Sequence, residues 1–231
     1  MGSTMTLNPQ PTPFCDSETV RRAFAGKRVA LVGSGPGVLD NKEGFVDSHE
    51  VVVRVNNYKI GAPQGRRCDV FYSFFGTSVR KSAAELKRDG VRLCVCKCPD
   101  AQFMESAWHR RRGRPHGVDF SYIYRARQAW WFCETYVPTT ERFLEWFNLL
   151  GGHVPTTGFA ALLEILSHEP ASVYMTGFDF FQSRVHNVNE RWRPGDPSDP
   201  IGHAPERERQ WVLRNTERLT FDPALTRALR R

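Results

Sequence analysis

No stretch of the 231-residue chain is apolar for long enough to cross a membrane as a helix, and no segment has the form of a secretory signal. Internal repeats and low-complexity tracts are absent as well, which excludes solenoid and collagen-like architectures. There is no P-loop and no G-x-S-x-G elbow, so the nucleotide and hydrolase chemistries built on them are excluded. There are six cysteines, and a chain this large does not need disulfides to fold. A reducing, cytoplasmic setting is the expectation. Cys94, Cys96 and Cys98 alternate and would share one face of a strand. No second Cys/His group with ligand spacing follows them, so small apolar strand residues are expected rather than a metal site. What the chain does have is a core: 40% hydrophobic residues, with 16 Phe and 6 Trp. It also carries a net charge of +7, which favours anionic partners. The densest basic run is Arg110-Arg111-Arg112-Gly113-Arg114. It reads as a solvated loop or as a contact with an anionic surface, and nothing around it looks like a nucleic-acid motif.

Residues 1–26 are rich in Pro and Thr and suggest a flexible leader running into a short helix. From 27 onward one α/β domain is expected. Short apolar runs bounded by glycine or turn residues predict strands at 27–32, 50–56, 69–73, 91–97 and 172–176. Helical patterns fall at 82–88, across a helical and aromatic middle (about 101–150) whose clearest helix starts at Thr140, at 157–167, and at 205–215. Phe159, Leu162, Leu163 and Leu166 form the apolar stripe of the 157–167 helix. Residues 182–202 are polar and rich in proline, as expected of a lid-like loop. Strands alternating with helices imply a Rossmann-like, mostly parallel twisted sheet flanked by helices.

Four constellations carry chemistry. Gly33-Ser34-Gly35-Pro36-Gly37 follows the first strand, where glycines let backbone approach a ligand and leave N–H groups for a phosphate or ribose. The same loop also reads as a plain tight turn. A second strand ends in Asn56-Asn57, whose amides can read ribose hydroxyls or a pyrimidine edge, or simply close the strand as an Asx turn. Thr156-Thr157-Gly158 opens an apolar helix, where it caps the helix or binds an anion there. Gly177-Phe178-Asp179 ends the last strand, and His186, Glu190, His203 and Glu208 follow. A histidine there is either a general base or a surface residue. The G-x-G-x-x-G fingerprint fails at Val38, and Asn stands where a ribose-binding acid would, which argues against an NAD enzyme. The Asp-x-Asp pair through which many sugar transferases hold a metal is missing.

In this order and spacing the four constellations resemble the sialyltransferase superfamily. The first two look like its large sialyl motif, with Asp47-Ser48-His49-Glu50 and Arg54-Val55-Asn56. Residues 155–181 look like the small motif, His186 and Glu190 like the third, and His203 with Glu208 like the very small motif. The match covers roughly residues 27–215. Ser34 stands where relatives commonly carry Asn, position 187 is Asn where the third motif often has Tyr, and the disulfide linking the large and small motifs of the animal enzymes has no evident counterpart.

The resemblance implies a variant GT-A, sialyltransferase-like fold and a metal-independent inverting transferase with no cofactor. A CMP-sugar would be the donor, carrying sialic acid or Kdo, and a glycan or glycolipid hydroxyl the acceptor. It implies His203 as the base supported by Glu208. Gly33, Ser34, Gly35, Pro36, Asn56, Asn57, Thr156, Thr157, Gly158, Gly177, Phe178, Asp179 and His186 would surround the donor. A bacterial enzyme working at the cytoplasmic membrane face is the implied setting, with peripheral contact through residues 110–114. Hydrolysis of a CMP-sugar, and CMP binding without turnover, are the alternatives that the same motifs allow.

Overall fold

A computed structural model describes residues 15–75, 79–99, 133–182 and 202–230. Residues 183–201 of the predicted lid-like loop and the basic run at 110–114 lie outside these residues, as do His186 and Glu190.

Among the described residues seven strands form one sheet, all parallel: β1 (Arg28–Val32), β2 (Val51–Val55), β3 (Val70–Ser73), β4 (Leu93–Cys96), β5 (Glu134–Tyr136), β6 (Ser172–Thr176) and β7 (Leu219–Phe221). Their order is β5-β4-β3-β2-β1-β6-β7. The chain therefore starts in the middle, builds outward to β5, and returns to the other side of β1. Such a reversal leaves a crevice at the carboxyl ends of the two strands that flank it, here β1 and β6. Register fixes what meets there. Val32 pairs with Arg54 and with Thr176, so the residues that follow all three strands emerge at one edge.

The inner strands are buried on both faces, as parallel strands must be. In β1, Val29 and Leu31 join the larger core with α1 (Ser17–Phe24) and α4 (Thr157–Ser167), while Ala30 and Val32 join a smaller one with Val38, Val46, Val52 and Tyr174. The predicted helices appear as α2 (Ala83–Arg88), α3 (Thr140–Leu149), α4 and α5 (Pro205–Arg214). Ser82 and Glu85 close a capping box on α2, and Thr139 caps α3.

Three expectations change. Helix α4 has more than one apolar stripe: every residue from Thr157 to Ile165 is buried, while Leu166 is only partly so. A helix buried all round belongs inside the core. The middle of the chain contains a strand, β5, where helix was expected. Past residue 215 come β7 and α6 (Pro223–Leu229), which sequence reading passed over. Among the described residues no helix is long and apolar enough to cross a membrane.

Candidate active site

A cavity of about 440 Å³ opens at the carboxyl edge where β1 and β6 meet, and β2, α4 and α5 complete it. Each wall is fixed by a different device.

The β1–β6 wall is backbone on backbone. Gly33 N–H donates to the Thr176 carbonyl at 2.8 Å, and Gly35 N–H to the Gly177 carbonyl at 2.7 Å. A Cβ on Gly33 would lie 2.3 Å from the Gly177 oxygen, and one on Gly35 2.8 Å from it. Gly177 itself has φ 72°, a conformation that favours glycine. The glycines are thus required by loop-to-loop contact. The expectation that their N–H groups are left for a phosphate is corrected, since Gly33 and Gly35 give theirs to the carbonyls of Thr176 and Gly177. Asp222, buried, fastens this wall from behind: it accepts from Gly177 N–H at 2.8 Å and caps α6 by accepting from Leu225 N–H at 2.6 Å. Pro36 is also corrected. Itself exposed, it opens a 3-10 turn (Pro36–Asp40) and lies outside the cavity lining, whereas Ser34 lines it.

The large motif divides. Asn56 and Asn57 reach the cavity. Asn56 has φ 48°, and its side-chain oxygen accepts from the Ser73 hydroxyl at 3.2 Å. The Asn57 side-chain oxygen accepts from Arg80 N–H at 2.6 Å. The residues before them are structural. Asp47 accepts from Arg66 N–H at 2.8 Å, Glu50 accepts from Arg28 N–H at 3.0 Å, and the fully buried Arg54 donates to the carbonyls of Arg67 and Gln64, both at 2.8 Å.

The opposite wall is held by ionisable side chains. Residues 154–156 run into α4, with Thr156 as N-cap. His203 Nδ1 lies 2.6 Å from the Val154 carbonyl. A carbonyl only accepts, so Nδ1 carries the proton, and in the neutral ring Nε2 is the basic nitrogen. Lys97 Nζ donates to the Pro155 carbonyl at 3.0 Å. Glu208 takes two bonds from Thr156, from N–H at 2.6 Å and from the hydroxyl at 2.7 Å. His203, Lys97 and Glu208 are all buried and all line the cavity. Burial pushes the Glu208 carboxyl up to about 7, against the pull of Thr156 and Lys97. Both Glu208 oxygens face Thr156, and the Val154 carbonyl orients His203.

The third wall is aromatic. Phe178 packs against Gly158, where an added Cβ would fall 2.3 Å from its ring. Asp179 accepts from Phe181 N–H at 3.0 Å. Phe180 and Phe181 have φ of 50° and 61°. Two adjacent aromatics in that conformation are uncommon and persist where the surroundings hold them.

The structure therefore brings together Gly33, Ser34, Gly35, Asn56, Asn57, Thr156, Thr157, Gly158, Gly177, Phe178, Asp179, His203 and Glu208. Sequence reading missed Phe74, Arg80, Lys97, Phe180 and Phe181 in the lining, and Asp222 behind it. Only Asp222 carried a legible signal, an N-cap acid followed by proline at the first helical position. Among the described residues, no group of three His, Cys, Asp or Glu side chains converges as a metal site would.

No protein-family model matches the chain, and no curated protein matches it. Solved structures do. The α-2,3-sialyltransferase Cst-I from Campylobacter jejuni aligns over 93% of this chain and 80% of its own, at TM-score 0.56 and 12% identity. CstII from the same organism, in complex with the substrate analogue CMP-3FNeuAc, aligns over 85% and 81%, at TM-score 0.55 and 14% identity. A mammalian sialyltransferase in complex with Gal-beta-1-3GalNAc-ortho-nitrophenol aligns over 87% and 71%, at TM-score 0.53 and 17% identity. At these identities the likeness is one of architecture. The chain has a sialyltransferase-like α/β fold, with a cavity at the switch point of its parallel sheet.

Proposed function

We propose that the chain is a glycosyltransferase that moves a keto-acid sugar from a CMP-sugar to a glycan or glycolipid hydroxyl, with inversion and without a metal. The observation that carries the reading is His203: its Nδ1 proton is fixed on the Val154 carbonyl, which leaves Nε2 as the base inside the switch-point cavity. The acceptor oxygen attacks the anomeric carbon and gives its proton to Nε2. The bond to the phosphate oxygen breaks, and CMP departs with the electron pair. Positive potential for that departure comes from the α4 N-terminus at Thr157 and Gly158, from Arg80 and from Lys97. Asn56 and Asn57 suit ribose hydroxyls or a pyrimidine edge. The fold and the bound ligand of the Campylobacter enzyme support the donor class.

Calorimetric titration with CMP in EDTA, against UMP, GMP and NAD, tests the site. Selective CMP binding is expected, and its absence overturns the reading. Turnover of CMP-sialic acid and CMP-Kdo then names the donor sugar. His203→Ala is expected to lower kcat about 10²–10⁴-fold while CMP affinity holds.

A further inference from the structure

Lys97 follows β4 and is only 4% exposed. Its N–H donates to the Ser73 carbonyl at 2.8 Å, which continues the β3–β4 ladder and carries the side chain inward at the cavity edge. Nζ then meets the Pro155 carbonyl. That carbonyl and the Thr156 N–H belong to one peptide group, and in a trans peptide they point in opposite directions. The ammonium holds the negative end of this peptide dipole and the Glu208 carboxylate holds the positive end. A buried lysine and a buried glutamate thus face each other across a single peptide plane. Either charge buried alone would be costly, and each offsets the burial of the other.

We propose that Lys97 is a positioning residue of the cavity: with Glu208 it grips the Pro155–Thr156 peptide from both ends, and so sets the start of α4 and the neighbouring Val154 carbonyl that orients His203. Its relevance to catalysis rests on the transferase reading, whereas the clamp belongs to the ligand-free chain. Among the described residues, Thr156 at the start of α4 faces the Glu208 carboxylate directly, and Lys97 lies beyond it from β4. On Glu208's own segment the ionisable cavity residue is His203, whose ring turns to Val154. Lys97 is among the groups that favour the ionised carboxylate, so losing its charge moves the Glu208 titration upward.

The test is carbon-13 NMR of the ligand-free chain across pH 5–9, with the Glu208 carboxyl identified by its loss in Glu208→Gln. A midpoint near neutrality is expected in the wild type. Lys97→Met should raise it by about one pH unit, a tenfold rise in proton affinity, and Lys97→Arg should restore it. A merely structural lysine would leave the midpoint where it was, and that result overturns the proposal. Should Lys97→Met fail to fold, the wild-type Thr156 amide proton decides: it must shift along the same midpoint, and an amide that ignores the Glu208 titration also overturns the clamp. CMP titration of the same samples separates the two ideas. A midpoint that moves in a chain that does not bind CMP leaves the clamp standing and removes the transferase reading, and the reverse pattern removes the clamp alone.

Discussion

On the β1–β6 side of the cavity, Gly33, Gly35 and Gly177 touch backbone to backbone, whereas on the β4–α5 side three buried ionisable side chains hold residues 154–156. The first wall depends on the absence of side chains where its two loops meet. The second depends on charge and changes across the neutral range. Two walls of one site can therefore be damaged by different means, and the damage tells them apart.

Gly33→Ala should do the most harm. Its Cβ would meet a backbone oxygen, which cannot rotate away, so a loss of about 4 kcal/mol is expected in urea unfolding, equal at pH 5 and pH 8. A pH-dependent loss would show that the glycine wall is coupled to the charged one. The next largest effect concerns Glu208. Its folded-state value near 7 lies above the unfolded value of 4.5, so between these pH values the unfolded chain releases the proton first. Stability then falls as pH rises from about 4.5 to 7, by roughly 3 kcal/mol from this group alone. Glu208→Gln should flatten that slope in thermal melts, and an unchanged slope would move the pH dependence elsewhere. Asp222→Ala comes last, at about 2 kcal/mol, because it removes the α6 cap and leaves the buried Gly177 N–H unpaired. Its effect should add to that of Glu208→Gln if the two walls are independent.

Much of the fold was legible because the inner strands are continuous apolar runs bounded by turn residues. The two edge strands were not. Glu134–Tyr136 and Leu219–Phe221 have three residues each, too few to show a period, and they are defined by pairing with β4 and β6. At the site, Asn56, Asn57, Thr156, Gly158 and His203 were readable from residue type and from their place at strand and helix ends. The reason for the glycines was not, since Gly33 and Gly177 are 144 positions apart and only register shows them touching. Lys97 was missed for a related reason: a lysine at a strand end reads as solvated until the chain that buries it, at Pro155, is in place.

The order of strands also dates the site during synthesis. Among the described strands β1 is made first, and one of its sides has no strand partner in the sheet until β6 is added after β2 to β5. Only with β6, α5 and Asp222 does the second half of the cavity arrive. A nascent chain that has not yet added β6 would hold the glycine turn and both asparagines but lack Gly177, Phe178, His203 and Glu208, so ligand could not assist its early folding.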